Sequence, residues 1–258
     1  MNDIGNMVFK EFGQQNKPIV VLIHGFLMPW KMWEPQIEEF SKEYHVIVPI
    51  LEGHQKNNQN IFTSIENNSN QIIDYLEKHN FKEIFAICGL SLGASITVDI
   101  LGRDRLIVKK AIIDAGITPI CVTKIQKTFI VYRSLFETCL VRKSKKMLEM
   151  VFKPQDYSRV RVDEIYEMLQ HISNDTVKNV YSSIFTYKLP EDLSNIKTEI
   201  RYWYGTKEGN QRKRDAEFII KVFPNAKYQV FDGYAHGQLC VGNPNLYLKY
   251  AYSFFYEV

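Results

Sequence analysis

The pentapeptide Gly89-Leu90-Ser91-Leu92-Gly93 constrains this chain more than any other stretch. An apolar run, Glu83-Ile84-Phe85-Ala86-Ile87-Cys88, leads into it, and a helix-like segment, Ala94-Ser95-Ile96-Thr97-Val98, leads out. A serine pinned in so sharp a strand-to-helix turn needs small residues two positions to either side, because the strained backbone leaves no room there for a Cβ. Its Oγ is then presented outward at the positive end of a helix, the setting of an activated nucleophile.

The rest of the chain repeats the strand–helix alternation that this turn requires. Pro18-Ile19-Val20-Val21-Leu22-Ile23 and His45-Val46-Ile47-Val48-Pro49-Ile50-Leu51 are continuous, β-branched apolar runs, as expected of strands buried on both faces of a parallel sheet. Between them Trp33, Ile37 and Phe40 have helical spacing. The polar stretch Gln55 to Asn70 starts as a loop, either a plain connection or a specificity loop near the site. From Ser64, a plausible N-cap, it turns helical, with Ile65, Ile72, Ile73 and Leu76 on one face. The helix after Ser91 should run to about Gly102, and Lys110-Ala111-Ile112-Ile113-Asp114 reads as a further strand.

From Gly116 to about Leu193 strand patterns vanish and three helical stripes replace them: Ile125, Phe129, Tyr132, Leu135 and Phe136; Val162, Ile165, Tyr166 and Leu169; Val177, Val180, Tyr181 and Ile184. Alternation resumes with strands at 198–205 and 227–231, a helix at 212–223 between them, and a closing helix from Pro244. The expected fold is therefore α/β, a mostly parallel central sheet flanked by helices, with residues 1–115 and 194–258 as its core and 116–193 as a helical cap.

Composition narrows the function classes. At 258 residues with 45% hydrophobic side chains, one substantial core is expected rather than two. The net charge of +3 is small and its basic residues are interspersed with acidic ones, so nothing calls for nucleic acid. No secretory leader and no run long enough to span a membrane is evident, which predicts a cytoplasmic protein without stable membrane insertion. Cys88, Cys121, Cys139 and Cys240 lack close pairing and read as reduced, mostly buried thiols. His24, His54 and His236 stand far apart in the sequence with no CxxC companion, so neither a metal nor another cofactor is expected.

A serine hydroxyl needs an imidazole to take its proton and a carboxylate to hold that imidazole in the right tautomer. His236, in the glycine-bounded loop Gly233-Tyr234-Ala235-His236-Gly237 beyond the last strand, is the best base. With His24-Gly25-Phe26 after the first buried strand, Leu51-Glu52-Gly53-His54 after the next, the turn at Ser91, Gly205-Thr206-Lys207-Glu208 after the penultimate strand, and His236 after the last, nearly the whole chain resembles the α/β-hydrolase superfamily. The resemblance is to its small esterases and lipolytic-type hydrolases with a helical cap. It implies an oxyanion hole from the N–H groups of Phe26 and Leu92. It also implies a triad acid at Glu208, where the family usually has aspartate. Asp114, at the end of the strand after Ser91, and Asp232 are the rival acids.

Phe129, Tyr132, Phe136, Phe152 and Trp30 are candidates for an apolar substrate pocket, although the same stripes could simply pack the cap. Basic residues outnumber acidic ones in the cap, most visibly in Arg142-Lys143-Ser144-Lys145-Lys146. They are either a solvated helix face or an attraction for an anionic substrate or acidic lipid surface. Two function classes follow. One is a serine hydrolase acting on a small-molecule ester or related acyl compound; the other keeps the fold for carbon–carbon cleavage, other non-hydrolytic chemistry or ligand sensing.

Overall fold

The computed structural model describes residues 3–4, 7–55, 60–119 and 123–257. Its centre is an eight-stranded sheet: β1 (Asp3–Ile4), β2 (Met7–Phe12), β3 (Ile19–Ile23), β4 (His45–Ile50), β5 (Glu83–Leu90), β6 (Ile107–Asp114), β7 (Glu199–Gly205) and β8 (Ala226–Phe231). They lie in the order β1-β2-β4-β3-β5-β6-β7-β8. From β4 across to β8 neighbouring strands are parallel, while β1 and β2 form an antiparallel edge.

Side chains alternate across the sheet and so feed two cores. Val21, Ile23, Ile87 and Ile113 point to the face covered by α2 (Ile65–Lys78), α3 (Leu92–Arg103) and α9 (Asn210–Val222). Val20, Leu22, Cys88 and Ile112 point to the face covered by α1 (Glu34–Phe40) and α10 (Pro244–Phe255). The apolar strand runs are continuous because both faces are dry. Ser64 caps α2, its side chain accepting the Asn67 N–H.

Among the described residues five helices separate β6 from β7: α4 (Lys124–Lys143), α5 (Lys145–Val151), α6 (Pro154–Tyr157), α7 (Arg159–His171) and α8 (Asn174–Ile184). They share packing with the sheet. Val180 and Ile184 of α8 join the core on the α2–α3 face, and Val162 and Ile165 of α7 join the core on the other. Polar contacts fasten α8 further. Thr176 Oγ1 accepts the Phe62 N–H at 3.2 Å, Ser183 Oγ accepts the Ile65 N–H at 2.8 Å, and Asn179 Nδ2 donates to the Phe62 carbonyl at 2.8 Å.

Cys88, Cys139 and Cys240 form no disulfide, and only Cys139 is not fully buried. Cys121 lies outside the described residues.

Candidate active site

Ser91 sits between β5 and α3 with φ 53° and ψ −111°, a conformation that costs a non-glycine residue roughly 1–3 kcal/mol. The glycines that flank it are dictated by contact. A Cβ on Gly89 would lie 2.4 Å from the Gly93 carbonyl oxygen, and one on Gly93 would lie 2.2 Å from that of Ile23. Gly93→Ala is therefore expected to cost on the order of 3 kcal/mol, because backbone must move to admit the methyl group. Urea unfolding would show it; a loss below ~0.5 kcal/mol would mean that the turn is looser than its contacts indicate.

His236 is brought to Ser91 by the loop after β8. Its Nε2 is 2.9 Å from Ser91 Oγ, and its Nδ1 is 2.6 Å from Glu208 Oε2. Glu208 ends a single 3₁₀ turn, Thr206–Glu208, and its other oxygen accepts the Gly205 N–H at 2.9 Å. The turn and the histidine loop are stitched together: Lys207 N–H donates to the Tyr234 carbonyl, Gly233 N–H to Thr206 Oγ1, and Tyr157 Oη–H to the His236 carbonyl. Glu208 is only 4% exposed while His236 is 45% exposed, so the carboxylate is shielded and the imidazole can reach a ligand.

Of the three acids the sequence leaves open, Glu208 alone is hydrogen-bonded to His236 among the described residues. Asp114 is buried at the end of β6 with Oδ2 unpartnered. Burial, reinforced by the charge of Glu208, pushes its carboxyl well above the usual carboxylate range. Asp232 is exposed and accepts a hydrogen bond from Thr206.

The loops after β3 and β4 are locked by two buried histidines that the sequence separates and the fold brings edge to face, ring centroids 4.9 Å apart. His24 donates from Nδ1 to the Gly25 carbonyl and accepts the Leu51 N–H at Nε2. His54 donates to the Glu52 carbonyl and accepts the Leu27 N–H. With all four nitrogens used, neither is available to a metal, and no group of metal-ligating side chains gathers among the described residues. Glu52 is likewise structural, its carboxylate accepting from Thr63, Asn67, Asn68 and Gln71.

Burial lowers His24 from 6.5 to about 3 and His54 to about 4. Between those values and 6.5 the unfolded chain binds more protons than the folded one, so stability is greatest above 6.5 and falls as the pH drops. Each histidine contributes up to about 2 kcal/mol between pH 6.5 and about pH 5. Urea midpoints across that window should show the slope, and His54→Gln should flatten it. An unchanged slope in the variant would remove His54 from the account.

A cavity of about 580 Å³ opens over Ser91 and His236, walled by Phe26, Leu27, Leu140, Val141, Met147, Leu148, Met150, Val151, Phe152 and Tyr181, with Ser134, Glu137 and Thr138 as its polar part. Of the predicted pocket residues it contains Phe152 and omits four. Phe129, Tyr132 and Phe136 are 64–67% exposed on the outer side of α4. Small Ser134 and Thr138 lie on the buried side instead and let α4 approach its neighbours, so the bulky stripe faces out. Trp30 stacks on Phe12 of β2 with Lys10 over its ring and does not line the cavity. Most of the unpredicted aliphatic wall residues lie on the two sides of Arg142–Lys146. The apolar pairs Leu140-Val141 and Met147-Leu148 carry the signal there, flanking the charges.

Gly25 brings the loop carrying Phe26 against the nucleophile, its Cβ position 3.5 Å from Ser91 Cβ. Leu92, as the first residue of α3, has an N–H without a partner inside the helix.

The family model of the alpha/beta hydrolase fold matches residues 18–241, and the chain belongs to that family. Epoxide hydrolase 4 of Mus musculus is 40% identical over 42 residues, 16% of this chain and 12% of that protein. The 3-oxoadipate enol-lactonase 1 of Acinetobacter baylyi is 26% identical over 81 residues, 31% of this chain and 30% of the lactonase. The chain thus matches less than a third of either relative. The crystal structure of an alpha/beta hydrolase family protein from Desulfitobacterium hafniense superposes with a TM-score of 0.79 at 18% identity, covering 96% of this chain and 99% of that one, a likeness of fold.

Proposed function

We propose that this protein is a serine hydrolase that cleaves a carboxylic ester, cyclic or open, or a related acyl compound. The observation that carries this is the unbroken hydrogen-bond line from Ser91 Oγ through His236 to Glu208, 2.9 and 2.6 Å. Ser91 Oγ attacks the carbonyl carbon as His236 Nε2 takes its proton, and Glu208 holds Nδ1–H and balances the imidazolium. The tetrahedral oxyanion takes hydrogen bonds from the N–H groups of Phe26 and Leu92. His236 returns the proton to the departing alcohol as the carbon–oxygen bond breaks, and a water, deprotonated by the same nitrogen, releases the acid from Ser91.

The largely aliphatic wall of the cavity suits an apolar arm on the substrate. Residues 116–193 act as the cap that supplies this wall. The free thiols suit a reducing, cytoplasmic compartment. No helix among the described residues is long and apolar enough to cross a membrane.

A fluorophosphonate probe followed by mass spectrometry tests the nucleophile. The adduct is expected on Ser91. Labelling of another serine, or none, would overturn the proposal in favour of non-hydrolytic chemistry or ligand sensing. A panel of p-nitrophenyl esters, lactones and thioesters would then identify the acyl class.

A further inference from the structure

Helix α4 turns small polar side chains toward the protein and leaves an apolar side uncovered. Ser134 and Thr138 are buried toward the protein. On the other side Ile125, Phe129, Tyr132 and Phe136 recur at steps of four, three and four, and are 64–83% exposed. They form a stripe about 16 Å long at 1.5 Å per residue. Three aromatics and an isoleucine left in water along one helix face are an interaction surface rather than scattered exposure.

Charge around the stripe selects its partner. Residues 124–151 hold seven lysines and arginines against two glutamates, more than the excess of the whole chain, whose net charge is +3. Both glutamates are already neutralised, Glu137 by Arg133 and Glu149 by Arg159. Lys145 is engaged by Asp163. Lys124 and Lys127 at one end of α4, with Lys143 and Lys146 at the other, form no ion pair among the described residues. A central aromatic stripe with unpaired lysines at both ends is the pattern of a helix lying in a lipid–water interface, with rings among the upper acyl chains and ammonium groups at the headgroups.

We propose that the outer face of α4 docks reversibly on an anionic lipid bilayer. The same helix and its neighbour α5 supply Leu140, Val141, Met150 and Val151 to the wall of the cavity over Ser91. Docking therefore sets part of the cavity wall beside the lipid surface. The docking itself requires no catalysis, so it stands or falls separately from the hydrolase proposal.

The test is co-sedimentation of the full chain with vesicles of equal parts phosphatidylcholine and phosphatidylglycerol, beside vesicles of pure phosphatidylcholine. Binding is expected to the first, to weaken as salt is raised, and to be at least about tenfold weaker to the second. The combined variant Phe129→Ser, Tyr132→Ser, Phe136→Ser should bind about tenfold or more weakly to the anionic vesicles, with an unchanged melting temperature. Lys143→Gln with Lys146→Gln keeps the stripe and should narrow the difference between the two vesicle types, which keeps the proposal testable if the serine variant fails to fold. Absence of binding, or equal binding to both vesicle types, would overturn it. So would a dimer in solution that the serine variant dissociates without any vesicle binding, since the stripe would then belong to a second copy of this chain.

Discussion

Ser91→Ala is expected to lower kcat/KM toward a p-nitrophenyl ester by on the order of 10⁴- to 10⁶-fold, about 5–8 kcal/mol of barrier. Alanine keeps the Cβ, so the positive-φ turn sees the same bulk and the melting temperature should change little. What disappears is the only hydroxyl hydrogen-bonded to His236 Nε2 among the described residues. His236 can still activate a water, and this sets the residual rate. Turnover within about tenfold of the parent protein would remove Ser91 from the chemistry.

Glu208→Gln should be nearly as severe, on the order of 10⁴-fold in kcat, for a reason specific to this turn. The amide oxygen can keep the Gly205 N–H bond. That places the amide NH₂ against His236 Nδ1, which must then accept rather than donate, and the ring proton moves to Nε2. An Nε2–H cannot take the serine proton, so the wrong tautomer is held in the right place. Asp114→Asn should stay within about tenfold, since among the described residues Asp114 makes no hydrogen bond to His236, its Oδ2 has no partner, and the amide is nearly isosteric. Comparing kcat for the two variants, with melts to confirm folding, decides between the acids. Were Asp114→Asn the more damaging, the orienting role would pass to β6.

Much of this layout is legible in the sequence because a parallel sheet buried on both faces writes itself as unbroken apolar runs. Ile19–Ile23 and His45–Ile50 are such runs. Strand β2 is not, since an antiparallel edge leaves only alternate residues covered: Met7 and Phe9 are buried, Val8 is half-buried, and Lys10-Glu11 end the apolar run after three residues. Its absence from the prediction is also why Trp30 reads as a pocket residue. Ser91 and His236 stand out because each lies in a turn at a strand end. The reach of Glu208 does not, because its extra methylene is accommodated by a 3₁₀ turn that depends on the contact between Gly205 and Tyr234. Likewise nothing in the sequence links Glu52 to its asparagine and glutamine partners on α2, since a carboxylate satisfied by neutral donors looks in sequence like any solvated charge.

The fastening of α8 also determines how the protein can breathe. Lifting all five helices together would break the three hydrogen bonds to Phe62 and Ile65 and bare Val177, Val180 and Ile184. At about 1 kcal/mol per hydrogen bond and 1.5–3 kcal/mol per side chain, that costs well over about 5 kcal/mol, an open population below roughly one molecule in several thousand. Helix α4 buries only Ser134 and Thr138 along its twenty residues. Arg142 nevertheless ties the last turn of α4 to the carbonyls of Leu169 and Ile172, so any smaller opening is expected in the earlier turns of α4 while α8 keeps its place.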